Sequence, residues 1–330
     1  MFERWKVSSP TGLCIIALVA VACALPPFFS SYYHFVAGLA LINVIIAIGL
    51  NILTGNAGQI SMCQASFTAI GAYSTTYFCT QFGINYWLAL PLGGLFSAAC
   101  GCLVGFPALR LRGFYLAVAT LGFLEFSQIL IENLPSITGG VRGLSSPRPF
   151  LFGMKLSKDL YFYYAILVIA FASVWCAVSI LNSPTGRAFN AIRNSEAASQ
   201  TLGVPLARTK LIAFVIAAFY AGIGGGLYAS LVGFIDPLEF NLETSVRNII
   251  FITVGGLGSV AGSVIGAVAF SILPELLRGF KEYNEFVFGA ILLLTLIFMP
   301  NGIVGLAPAF RRYFTRTRKV AVPAAGSPNG

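Results

Sequence analysis

The sequence predicts an all-α polytopic integral membrane protein, with about eight full transmembrane helices plus one or two re-entrant or broken helices. Three observations lead there. Only 9% of the 330 residues are charged while 57% are hydrophobic, against about 25% charged in water-soluble domains. No Lys, Arg, Asp or Glu occurs from Val7 to Leu109, and later charge-free runs cover Leu160 to Gly186, Leu211 to Ile235, Asn248 to Pro274 and Phe286 to Phe310. About 20 apolar residues at 1.5 Å rise cross a ~30 Å hydrocarbon core, so each run is long enough to span. Glycine clusters interrupt two of these stretches, where backbone must leave the regular helix. A soluble enzyme or a nucleic-acid-binding domain is excluded by the same arithmetic; the net charge of +9 concerns orientation in a membrane.

Taken in order, residues 1–10 are a cytoplasmic N-terminus. Arg4 and Lys6 precede an apolar stretch ending Ala22-Cys23-Ala24, which resembles a cleavable signal peptide, but another span follows after Tyr33 and an uncleaved first helix is the better reading. Spans are expected at Thr11–Phe29, Tyr33–Leu53, Ile60–Gln81, Tyr86–Ala108, Gly113–Leu134, Asp159–Leu181, Thr209–Gly233 and Asn284–Gly305. The transmembrane domain thus covers 11–305, with its longest cytoplasmic loop at 182–208. Residues 306–330 form a basic tail, too polar and short for a domain, in which disorder is expected.

Between Thr54 and Ser61 the run Thr-Gly-Asn-Ala-Gly-Gln-Ile-Ser breaks the apolar sequence, and Gln64 and Ser66 follow at once. Such interruptions in transporters mark unwound backbone facing a substrate path, although a plain inter-helix loop fits the pattern as well. The stretch Arg247–Leu273 carries Gly255, Gly256, Gly258, Gly262 and Gly266 in its middle. With Arg110, Arg112, the 187–210 loop and the tail Arg311, Arg312, Arg316, Arg318 and Lys319 all cytoplasmic, this stretch has to enter and leave by the outer face. The alternative is a single continuous helix whose Gly258-x-x-x-Gly262-x-x-x-Gly266 stripe packs on a neighbour. The loop holding Arg142, Arg148, Lys155 and Lys158 then falls outside, against the charge rule.

Glu125 lies 12 residues into the Gly113–Leu134 span, about 18 Å along the helix. Gln128 and Glu132 share its face. An ionisable group at that depth faces protein or water, so Glu125 is a candidate for the path, or else a structural partner to another span. In the cytoplasmic loop, Ser183 and Ser195 are expected to cap two short helices opened by Pro184 and Glu196, with Gly203 and Pro205 as the stop. Phe189 and Ile192 give the first of these an apolar face beside Arg187 and Arg193, which suits either docking of a cytoplasmic partner or rest on lipid headgroups.

The seven cysteines lie in apolar stretches at neither zinc-finger nor thioredoxin spacing. The single histidine, His34, supplies no catalytic or metal constellation. No Gly precedes a Lys anywhere, so a phosphate-binding P-loop is absent, and any ATP driving this protein is hydrolysed on another chain.

These segments resemble the inner-membrane permease subunits of bacterial branched-chain amino-acid ABC importers, of the LivM type. The carrying stretches are Gly49–Gly55 with Gly58–Ser61 and Ile70–Tyr73, then Leu109–Ala117, Thr120–Phe123 with Glu125, and Ile137–Gly140 before Gly143. Thr185–Ala188, Ala191–Arg193, Glu196–Ala198 and Leu202–Val204 complete the set. The resemblance implies one half of a membrane path, driven by two cytoplasmic P-loop ATPases and fed by a periplasmic binding protein. The other half would be a second permease, a LivH-type paralogue. ATP and Mg belong to the ATPases and no cofactor to this chain. Coupling would run through Arg187, Phe189, Ile192, Arg193, Glu196, Ala197, Ala198 and Gly203. This loop departs from the E-A-A-x-x-x-G pattern of other ABC importers, since four residues separate Ala198 from Gly203, and it lacks the later I-x-L-P element. The resemblance therefore points to the architecture of vitamin-B12-type importers. Gln59, Ser61, Gln64 and Glu125 are the path candidates for a zwitterionic amino acid. Urea or short-amide permeases, and a proton-coupled carrier using Glu125, are the alternatives.

Overall fold

The computed structural model describes residues 31–108, 111, 113–151, 154–155 and 159–277, with isolated positions at 289, 293, 302 and 303. The expected spans Thr11–Phe29 and Asn284–Gly305, the N-terminus and the basic tail lie wholly or mostly outside those residues. The eight-span count therefore rests on sequence.

Helix α1 (Ser31–Leu50) runs without a cap into a π-helical turn, Asn51–Asn56. Here the path departs from the expected span at Ile60. Gly58 turns the chain at φ +69°, Ala57–Cys63 follows without helix, and α2 begins only at Gln64 and runs to Gln81. The Thr54 hydroxyl donates to the Gln59 carbonyl at 3.0 Å and closes the break. Next come α3 (Tyr86–Ala108), α4 (Phe114–Asn133), α5 (Asp159–Asn182) and α8 (Leu206–Val232), each within three residues of the span read from the sequence. Two short helices, α6 (Pro184–Asn194) and α7 (Glu196–Thr201), lie between α5 and α8. Beyond α4, a Pro135–Thr138 turn leads to β1 (Leu144–Ser145), and the strands β2 (Phe150–Leu151) and β3 (Met154–Lys155) pair with each other. After Gly233 ends α8 in the left-handed region, β4 (Phe234–Ile235) pairs antiparallel with β1, Leu144 opposite Ile235.

The glycine-bearing 247–273 stretch is two helices, α9 (Leu242–Gly255) and α10 (Val260–Leu276). Its continuous-helix alternative is excluded. Gly256 (φ +125°) and Gly258 (φ +84°) make a reversal that side chains resist, and Ser259 caps α10 through the Gly262 amide at 3.2 Å. The halves run antiparallel, with Gly255 against Gly262 and Gly266 against the Phe251 carbonyl, leaving no room for a Cβ at any of the three. Asn241 caps the other end of the hairpin through the Thr244 amide at 3.0 Å.

Helix α8 is the axis of the fold, with α1, α2 and α3 packed around it. Small residues make this possible, because no hydrophobic force drives apolar helices together in lipid and close backbone approach has to do so. Gly71 of α2 meets the backbone of Gly222, Gly225 meets the Thr68 carbonyl, and Gly49 of α1 faces Tyr220, whose Cβ would lie 2.5 Å from an added methyl. The buried Ser97 hydroxyl lies 2.9 Å from the carbonyls of both Phe67 and Ala218, joining α2, α3 and α8.

Candidate functional site

The break between α1 and α2 gathers polar side chains inside an apolar bundle. Gln59, Ser61 and Gln64 are all buried. The amides around the start of α2 lack helical partners, as at any helix N-terminus, and neighbouring helices supply them. Thr120 Oγ1 of α4 accepts from the Met62 amide at 3.0 Å. Ser245 Oγ of α9 accepts from the Ala65 amide at 3.1 Å. Ser127 of α4 donates to Ser66 at 2.7 Å. Gln64 spends its Nε2 on the Ile46 carbonyl of α1 at 3.3 Å, while its Oε1 is buried with no partner. Ile46 precedes Asn51, where the π-turn begins, by five residues, so Gln64 sits about 7.5 Å along α1 from that turn, inside the span Ser31–Asn56. Thr120, Ser127 and Ser245 were not legible as site residues, since single hydroxyls in spans commonly bond their own helix.

Glu125 stands apart. Thr120, Leu124 and Ser127 form the buried face of α4, whereas Tyr115, Val118, Gly122, Glu125, Phe126 and Ile129 are exposed on the opposite one. Gln128 and Glu132 are half-buried between the two faces. The chain thus brings Gln59, Ser61 and Gln64 together and leaves Glu125 on a surface that the described residues do not cover.

In the 182–208 loop, Pro184 opens α6 as expected, but the Ser183 hydroxyl bonds back to Ile180 at 2.6 Å instead of capping. Ser195 does cap α7, accepting from the Ala198 amide at 3.2 Å, and Gly203 (φ +80°) follows the helix. Phe189 and Ile192 are buried against the bundle, so the apolar face of α6 is its seat on this chain. Arg187, Arg193, Ala197, Ala198 and Gly203 are exposed, as is Leu202 at 81%, a large apolar side chain that belongs to the motif stretches but not to the coupling residues expected from them. Glu196 pairs with Lys210 Nζ of α8 at 2.5 Å, the ammonium side chain only 4% exposed. That pair fixes α7 to the axis of the fold. Among the described residues no group of three His, Cys, Asp or Glu could hold a metal ion.

A family model described as the permease component of branched-chain amino acid transport systems matches residues 32–296. The high-affinity branched-chain amino acid transport system permease protein LivM of Escherichia coli K12 is 35% identical over 316 residues, covering 88% of this chain and 74% of the relative. Its namesake from Salmonella typhimurium matches to the same extent. The permease LivH of Escherichia coli K12 is 26% identical over 79% of this chain and 90% of its own. The autoinducer 2 import system permease LsrC of Enterobacter is also 26% identical, over 86% and 84%. No solved structure matches.

Proposed function

This chain belongs to the permease-component family of branched-chain amino acid transport systems, and we propose that it forms one half of the translocation path of an ATP-driven importer for branched-chain amino acids. It is a multi-pass membrane protein of the inner membrane type. The observation that carries the substrate reading is the 35% identity to LivM across most of both chains. The buried polar break around Gln59, Ser61 and Gln64 agrees with it, because a zwitterion needs hydrogen-bonding groups without a strong fixed charge. Backbone outside a helix is tolerated at membrane depth where it is buried in protein or lines a cavity. The lone Gln64 Oε1 is the acceptor such a path would offer an ammonium group.

The remaining partners follow from this reading. A second permease, of the LivH type, covers the exposed face of α4, which supplies Glu125 with the protein or water that a carboxylate in a span requires. Two P-loop ATPases dock on the exposed, cytoplasmic side of α6 and α7, around Arg187, Arg193, Ala197, Ala198, Leu202 and Gly203, and a periplasmic protein delivers substrate to the β1–β4 side. The termini are cytoplasmic, the α9–α10 hairpin enters and leaves by the outer face, and the architecture is that of the vitamin-B12-type importers. ATP changes the affinity of the ATPases for one another. By linkage the loop has to bind them differently in the outward-open and inward-open states.

A proton-coupled carrier would need Glu125 beside the substrate groups, and they lie on opposite faces of α4. Tagging the chain, extracting it gently from its native membrane and identifying what copurifies tests the reading. A second permease and two P-loop ATPases are expected. Repeated recovery alone, with transport abolished by uncouplers and not by ATP depletion, would replace the importer with the carrier.

A further inference from the structure

Three elements far apart in sequence meet at one point: the π-turn Asn51–Asn56, the hairpin reversal Gly256–Ser259 and the C-terminal half of α6. Asn51 Oδ1 accepts from the Gly258 amide at 2.8 Å. Asn56 Nδ2 donates to the Gly258 carbonyl at 3.3 Å and approaches Asn190 Oδ1 of α6 at 3.5 Å. Two asparagines thus hold both backbone polar groups of a single glycine, and one of them also reaches the loop proposed to bind the ATPases. The approach is too close for side chains at the glycines. A Cβ on Gly58 would lie 3.2 Å from Arg193 Cα, and one on Gly258 would lie 2.5 Å from Arg193 Nη1; one on Gly55 would lie 2.5 Å from the Gly258 amide nitrogen.

The contents of this junction suit a moving part better than a rigid brace. A π-turn, with its i→i+5 hydrogen bonding, is rare and is found frequently at functional sites. Asn56 is buried, and its Oδ1 has no partner, so one acceptor in the junction is left over in this conformation. Arg193, whose side chain lies against Gly58 and Gly258, is exposed. It brings five donors to the edge of the junction. From Asn56 the chain runs directly through Gln59 and Ser61 to Gln64.

We propose that Asn51 and Asn56 are the positioning residues that transmit motion of α6 to the polar break and to the hairpin, through the asparagine–Gly258 junction. This rests on the importer reading. When the ATPases shift α6, Asn190 and Arg193 move against Gly58 and Gly258, the π-turn changes its hydrogen bonding, and the 57–63 segment moves Ser61 and Gln64 relative to α4 and α9. Neither asparagine touches substrate or nucleotide.

The test uses the whole complex, reconstituted in vesicles with its ATPases and binding protein, and reads uptake of leucine per ATP hydrolysed. Asn56→Leu is expected to assemble and to hydrolyse ATP within twofold of the unmodified complex while its uptake per ATP falls tenfold or more. A purely structural role would lower the amount of complex and leave the ratio alone. Asn190→Ala, at an exposed position, reads the same junction if Asn56→Leu does not assemble, with an expected fall of threefold or more. An unchanged ratio in whichever of these variants assembles overturns the proposal. The unmodified complex is the control: failure of ATP-driven leucine uptake there would overturn the importer reading, whereas a normal ratio in the variants of a working importer overturns the junction alone.

Discussion

Helices α8 and α5 are both apolar and long enough to span a membrane, yet 61% of the spanning window of α8 is buried within the chain against 17% for α5. Residue size, not hydropathy, separates them. Through Ala217, Ala218, Ala221, Gly222, Gly224, Gly225 and Gly226, α8 offers backbone to its neighbours, and the exposed face of α5 offers Tyr161, Val168, Phe171 and Trp175. Lipid accepts any apolar side chain, so bulk is free to face it. A neighbouring helix demands a fitted surface, and small residues let backbones touch. Helix α4 falls between the two. Its exposed face carries bulky residues together with Gly122 and Glu125, which is what a face awaiting another subunit would show.

Substitutions that add volume should divide these helices sharply. Gly225→Val drives a side chain into the Thr68 carbonyl, and a loss of about 3 kcal/mol or more is expected from overpacking at a backbone contact. The thermal midpoint of detergent-solubilised protein measures it. Gly122→Val has nothing within 4 Å, so the isolated subunit should hold its stability to within about 0.5 kcal/mol while pairing with the second permease weakens. Equal destabilisation by the two would break the comparison between α8 and α4.

Next in size is the tie between α7 and α8. Glu196→Ala leaves Lys210 buried and without its carboxylate, at a cost of about 3 kcal/mol when one partner of a buried pair is removed. The double variant with Lys210→Met should recover part of the loss, and chemical denaturation of the four variants of the cycle gives the coupling.

On the exposed side of the α6–α7 loop, Leu202→Ala should weaken association with the proposed ATPases about tenfold, near 1.4 kcal/mol, if the 81% exposed side chain is a contact. Surface-immobilised permease titrated with ATPase reads it. The smallest effect is expected on α5, where Trp175→Ala should leave both stability and uptake unchanged to within about 0.5 kcal/mol.

What the sequence made legible followed from short-range rules. Tyr86–Ala108 is read to the residue because Asn85 and the charges after Leu109 bracket it, and α4, α5 and α8 are read nearly as well. The Thr54–Ser61 and Gly255–Gly266 clusters correctly mark interruptions, since glycine continues a helix only at a cost of up to about 1 kcal/mol per residue. The helix start at Gln64 in place of Ile60 was not legible, because it depends on Thr120 and Ser245 arriving from elsewhere to satisfy the freed amides. The amphipathic pattern of α6 gave Phe189 and Ile192 a common face but not what covers it. Asn51, Asn56 and Gly258 carried no signal of their meeting, since Gly258 lies more than 200 positions from both asparagines. Glu125 stood out in the sequence by its place within an apolar span, but its separation from Gln64 needed the rotational position of α4.

Uptake of radiolabelled leucine into vesicles holding the complete complex tests the central claim most directly, with ATP supplied on the ATPase side and the proton gradient collapsed by an uncoupler. Accumulation that requires ATP and the binding protein, persists with the uncoupler, and falls tenfold or more in Gln64→Ala is the predicted result. Accumulation that follows the proton gradient, needs no ATP and is lost in Glu125→Gln would contradict it.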